Sequence, residues 1–209
     1  MSETLLLIFE LIGTVSFAVS GAMTGLSKKM DLFGVAILGV AAAVGGGVIR
    51  DLLLGITPPV MFRNPVYAAA AVVTAIVMFF PVTRRALDKN HSLYDIVLLV
   101  MDSVGLGVFT VAGINTAFSA GHGSMFLLVF VGVMTGCGGG VLRDVLAGIT
   151  PYIFVRHFYA SASLIGAVIC AALMPSVGSG AAMACGAAVI IVLRLCAARY
   201  RWHLPRPKE

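Results

Sequence analysis

The chain predicts an all-α membrane protein, with seven transmembrane helices arranged as two inverted three-helix repeats plus a seventh helix, and with glycine-kinked helices two and five. Three observations carry this. Hydrophobic residues make up 60% of the 209 positions and charged residues 11%, where soluble domains carry about 25% charged residues. The apolar residues gather into seven runs near the ~20 residues that a bilayer crossing needs. Finally, one motif is written twice. Gly45-Gly46-Gly47-Val48-Ile49-Arg50-Asp51-Leu52-Leu53-Leu54-Gly55-Ile56-Thr57-Pro58 returns 93 positions later as Gly138-Gly139-Gly140-Val141-Leu142-Arg143-Asp144-Val145-Leu146-Ala147-Gly148-Ile149-Thr150-Pro151.

The runs lie at 4–27, 31–54, 63–80, 93–115, 124–147, 157–174 and 179–198. The first has Glu3 before it and Lys28-Lys29 after it. A secretory signal has the opposite charge order and a shorter core, so this run is expected to stay as a permanent span. Lys28 through Asp31, Thr57-Pro58-Pro59, Pro81 through Asn90, Gly121-His122-Gly123, Thr150-Pro151 and Pro175 through Gly180 separate the runs. Proline, glycine and charge clusters of this kind mark loops.

Seven spans decide which loops share a side. Lys28, Lys29, Arg84, Arg85, Lys89, Arg156, Arg199, Arg201, Arg206 and Lys208 fall on one side, and Arg63 on the other. Basic loops stay in the cytoplasm, which places the N-terminus outside and the C-terminus inside a multi-pass protein of the cell inner (plasma) membrane. The net charge of +5 therefore reads as topology, with the lipid bilayer and no nucleic acid as partner.

The duplication extends past the motif. Glu10, Gly13, Phe17 and Gly21 match Asp102, Gly105, Phe109 and Gly113 at an offset of 92, and Gly39 matches Gly132 at 93. Each repeat holds three spans, an odd number, so the second copy enters the membrane from the other side. The expected organisation is a single transmembrane domain over 1–209. Its first repeat covers 1–91, the inverted second repeat 92–176, and the seventh helix with a basic tail 177–209.

Three glycines in a row ease bending and uncover carbonyls, and backbone exposed in lipid survives only where protein buries it or water lines it. A mid-bilayer charge is costly unless paired or hydrated. Adjacent residues point about 100° apart on a helix, so the expectation is crossed pairing between copies, Arg50 with Asp144 and Arg143 with Asp51. The same glycines also suit close helix packing. Glu10 and Asp102 form a second equivalent pair, either possible mouth residues that attract cations or interfacial groups near helix ends.

Cys137, Cys170, Cys185 and Cys196 sit in apolar runs without CxxC spacing and read as small buried hydrophobes. His91, His122, His157 and His203 lack ligand spacing, so no metal site is expected. The tail from Arg199 to Lys208 mixes base with aromatics and suits anionic headgroups. Walker, nucleophile-elbow and zincin patterns are absent, so the chain is expected to be no enzyme and to need no cofactor.

Two GGGxxRDxLxG motifs in 3+3+1 helices, covering essentially the whole chain, resemble the prokaryotic TRIC (trimeric intracellular cation channel) family. Its members are also known as a membrane family with "glycine transporter" domains. Ala147 of the second copy departs from the pattern at a variable position. The resemblance implies a homotrimer in which each protomer holds its own hourglass pore and passes monovalent cations passively, potassium first and sodium as well. It further implies that Gly45, Gly46, Gly47, Arg50 and Asp51, with Gly138, Gly139, Gly140, Arg143 and Asp144, line the ion pathway, and that helices two and five kink at the glycines. Animal members carry a lysine-rich version, so their lipid-regulated gate does not transfer.

The residues themselves allow a second reading, a secondary transporter of a small zwitterion such as glycine, with Arg on the carboxylate and Asp on the ammonium. A third, a structural scaffold, predicts neither currents nor uptake.

Overall fold

In a computed structural model, residues 3–80, 91–155 and 158–202 are described, and they fold into helices. Helix α1 (Glu3–Ser27) leads into α2 (Leu32–Leu53), which begins where the Asp31 carboxylate accepts the Gly34 N–H at 2.7 Å. A short helix, α3 (Val60–Arg63), precedes α4 (Val66–Phe79). The pattern then repeats as α5 (His91–Ser119), α6 (Met125–Leu146), short α7 (Tyr152–Val155) and α8 (Tyr159–Val177). Helix α9 (Ser179–Arg199) is the last among the described residues.

Among the described residues, six helices are long and apolar enough to cross a membrane. The expected third span is shorter than the hydropathy suggests. Asn64-Pro65 delays the start of α4, which keeps 14 residues, about 21 Å of helix against the ~30 Å of hydrocarbon. Arg84, Arg85, Lys89, Arg156, His157, His203, Arg206 and Lys208 lie outside the described residues.

Hydroxyls on these helices satisfy themselves locally, as a medium without water demands. Thr14, Thr24, Thr110, Thr116 and Thr135 each donate to the carbonyl four residues before. Equivalent glycines set equivalent contacts. A Cβ at Gly21 would lie 2.8 Å from the Gly39 Cα, and one at Gly113 would lie 3.2 Å from the Gly132 Cα. In each copy, then, the first helix touches the second through glycine. At the centre, Phe17 and Phe109 stack with centroids 5.5 Å apart. Cys137 and Cys170 are buried as expected, but Cys185 is exposed on α9, where lipid is as apolar as the interior it was expected to join. Trp202, past the end of α9, meets the Phe158 ring edge-on at 5.7 Å.

Candidate functional site

Each motif ends its helix with the same hydrogen bonds. Ile56 N–H donates to the Asp51 carbonyl and Gly55 N–H to the Leu52 carbonyl; Ile149 and Gly148 do the same to Asp144 and Val145. This is a Schellman termination, which requires a left-handed residue, and Gly55 and Gly148 take φ of 71° and 66°. Thr-Pro follows the stop rather than causing it.

The turn brings the chain back over the charges. Asp51 accepts from Arg50 Nε on one carboxylate oxygen, at 2.8 Å, and from the Val60 N–H that opens α3 on the other, also at 2.8 Å. Arg50 Nη1 reaches Glu10 Oε1 at 3.1 Å, and Tyr67 Oη donates to Glu10 Oε2 at 2.5 Å. In the second copy Arg143 Nε donates to Asp144 Oδ1 at 2.8 Å, and Tyr152 N–H donates to Asp144 Oδ2 at 2.8 Å. Arg143 Nη1 donates to Asp102 Oδ1 at 2.6 Å and to Ser20 Oγ. Arg143, Asp102 and Asp144 are all at 0% exposure.

The expected crossed pairing is therefore overturned. Each arginine binds the aspartate beside it and an acid from the first helix of its own copy. The 100° between neighbours describes where side chains leave the backbone. An arginine is long enough to fold sideways, and its fork holds two carboxylates at once. Glu10 and Asp102 are second partners of the arginines, set inside the bundle.

The three glycines of each motif have different neighbours. A Cβ at Gly46 would overlap the Thr135 carbonyl oxygen, and one at Gly139 would overlap that of Ala42. Gly45 makes room for the Leu142 side chain and Gly138 for that of Ile49, while Gly47 and Gly140 face Met61 and the Tyr159 hydroxyl. Residue 42 meets 139 and 46 meets 135, so α2 and α6 cross antiparallel with their backbones in contact. Both helices stay continuous through the glycines, where packing from the facing helix replaces the support that side chains would have given.

Cavities lie on either side of this crossing. One of about 470 Å³ reaches Glu10, Arg50, Asn64, Tyr67 and Thr116. Beneath it, between Thr14, Gly47, Arg50 and Phe109, the space narrows to about 10 Å³, roughly what one water occupies. On the other side Asp95, Asp102, Tyr152 and Arg194 line about 20 Å³.

The two halves differ in one tyrosine. Tyr67 holds Glu10, whereas the buried Tyr159 hydroxyl, its equivalent, has no hydrogen-bond partner among the described residues. Tyr67→Phe is expected to lose about 1.5–3 kcal/mol, the value of a hydrogen bond to a charged group, and Tyr159→Phe close to nothing. Thermal unfolding of the two variants in one detergent checks the contrast.

Arg194 and the two tyrosines escaped sequence reasoning. Tyr67 and Tyr159 are spaced by 92, the offset of the repeat, and that signal was there to be used. A lone intramembrane arginine in the seventh run was a second signal.

Comparison with known proteins places these features in a family. The glycine transporter family model matches twice, at residues 7–82 and 99–175. An inner membrane protein of Escherichia coli K12, the UPF0126 protein YadS, is 40% identical over 201 residues, covering 95% of this chain and 93% of the relative. A TRIC cation channel whose solved structure addresses the basis of conductance superposes with a TM-score of 0.85 at 37% identity, covering 97% of both chains. The TRIC orthologue from Rhodobacter sphaeroides gives 0.87 at 34% identity, covering 95% of this chain and all of that one. A doubled family match, near-complete coverage and two buried arginine sites at the crossing of duplicated glycine helices have one common reading: the chain belongs to the prokaryotic TRIC family, which includes the UPF0126 membrane proteins with glycine transporter domains.

Proposed function

We propose that the protein is a passive channel for monovalent cations, potassium foremost and sodium also permeant, with one pore inside each protomer of a homotrimer. The observation that carries this is the pair of charge-compensated arginines, Arg50 and Arg143, set at an antiparallel glycine crossing with a cavity on each side. The likeness to solved TRIC cation channels at 34–37% identity supports it. Around Arg50 the two acids Asp51 and Glu10 leave one excess negative charge, which favours cations over anions. Cavities that narrow to water size around both ion-pair groups describe a closed pathway. In this reading the seven longer helices, α1, α2, α4, α5, α6, α8 and α9, are seven spans, the repeats divide near residues 91 and 176, and the N-terminus lies on the outer side of the inner membrane. Gly45 to Gly47 and Gly138 to Gly140 are the places where α2 and α6 bend when the pathway opens.

Potassium flux into proteoliposomes tests it. Two like charges 4 Å apart cost about 4 kcal/mol at an effective dielectric of 20, so an under-compensated arginine repels the permeant. Asp51→Asn and Asp144→Asn are expected to lower flux about tenfold or more. Native flux in both variants would overturn the assignment.

One observation favours the second reading, a transporter of a small zwitterion such as glycine: Arg50 and Glu10 line the same 470 Å³ cavity, where a carboxylate and an ammonium could each find a partner. Saturable, stereoselective uptake without unitary currents would select it.

A further inference from the structure

Helix α9 has no counterpart in the repeat, and among the described residues it packs on α5 and α8 of the second copy alone. A Cβ at Gly107 would lie 3.0 Å from the Ala187 carbonyl, and one at Gly186 would lie 2.7 Å from the Cys170 Cβ. Inside its apolar run α9 carries Arg194, 4% exposed. The guanidinium lies over the Tyr159 ring at 4.6 Å, and its Nη2 is 3.7 Å from Asp102 Oδ2. In the first copy, the matching carboxylate oxygen of Glu10 takes its hydrogen bond from Tyr67. Asp102 is one methylene shorter than Glu10, and the Tyr159 hydroxyl lies beside Gly140 instead. Arg194 approaches the carboxylate in its stead.

A separation of 3.7 Å is an ion pair but too long for a direct hydrogen bond, and a water in the adjacent space could join the two groups. Arg194 and Asp102 line the cavity of about 20 Å³, room for one such water. A second acid, Asp95, lines the same cavity. It precedes Asp102 by seven residues on α5, so both lie on one face, about 10 Å apart along the axis. Asp95 is exposed.

The geometry points to Arg194 as a pathway residue supplied by the unduplicated helix: bridged by water to Asp102 in the closed state, it moves to Asp95 when the second half opens and uncovers the Asp102 carboxylate to a passing cation. This rests on the channel reading above. The arginine keeps an acid in either position, so the move never strands a buried charge, the outcome that makes breaking such pairs costly. Arg143 keeps Asp144 throughout. The first half has no such device, because Tyr67 fastens Glu10 and no second acid lines its wide cavity among the described residues. The two halves are thus unequal, and currents through them should depend on the sign of the voltage.

Single-channel recording of the full-length oligomer in planar bilayers with potassium chloride tests this. Native channels are expected to rectify. Arg194→Gln should reduce the rectification and raise open probability about tenfold. Arg194→Lys, which keeps the charge, should restore the native asymmetry. Asp95→Asn removes the second position and should lower open probability by about the same factor. Native open probability and rectification in Arg194→Gln and in Asp95→Asn would overturn the assignment. If Arg194→Gln yields no folded oligomer, Asp95→Asn, at an exposed position, decides alone. A native chain without unitary currents would overturn the channel reading, and this assignment with it.

Discussion

Arg143→Met is expected to lower stability by about 3–5 kcal/mol, the cost of breaking a buried ion pair from one side. Arg143 is fully buried and holds Asp102, Asp144 and Ser20 while its guanidinium lies 4.8 Å from the Tyr152 ring centre. Methionine keeps the apolar stem and leaves two carboxylates without that cation. Arg143→Lys should cost less but more than nothing, because an ammonium cannot fork between two acids. Adding Asp144→Asn to Arg143→Met removes the stranded charge, since Asp102 still has Arg194 3.7 Å away, and should recover part of the loss. Arg50→Met should be milder than Arg143→Met, since Glu10 borders the 470 Å³ cavity and water there can solvate it. Unfolding temperatures in detergent rank the set. Equal temperatures for native and Arg143→Met would show that the pair contributes nothing.

Gly46→Ala is expected to cost about 3 kcal/mol, at the upper end for overpacking. The added methyl would overlap the Thr135 carbonyl oxygen, a backbone atom that no rotamer change can move. The two helices must separate along their length. Gly45→Ala makes the informative comparison, because its methyl meets the end of the Leu142 side chain, which can rotate away for about 1 kcal/mol. Circular dichroism melts of both variants distinguish them, and a Gly46→Ala melt no lower than that of Gly45→Ala would show that the backbones are not in contact.

Long apolar runs made most of the helices legible, because lipid imposes length and hydrophobicity together. The third span was the exception. Asn64-Pro65 took its first turn, an interruption that a window average smooths over. The glycines, arginines and acids of the candidate site stood out because they occur twice, and duplication marks a costly feature as retained. Their pairing was not legible. It depends on where Glu10 and Asp102 fall across a helix interface and on how far an arginine folds, neither of which spacing along one helix encodes. Arg194 lay hidden for the converse reason: the helix that bears it occurs once, so no second copy drew attention to it. The return of the chain over Asp51 and Asp144 was equally hidden, since backbone donors such as Val60 N–H have no signature in residue type.

The crossing of α2 and α6 is self-complementary, in that position 42 of one copy meets 139 of the other and 46 meets 135. A dimer about a twofold axis has this property, with one face serving as both surface and counter-surface. Fused into one polypeptide, such a seam gains a local concentration that separate subunits would have to find by diffusion. It also ties the fates of the two copies: a bulkier residue on either strand of the seam widens the same gap, so a second one opposite adds little further damage.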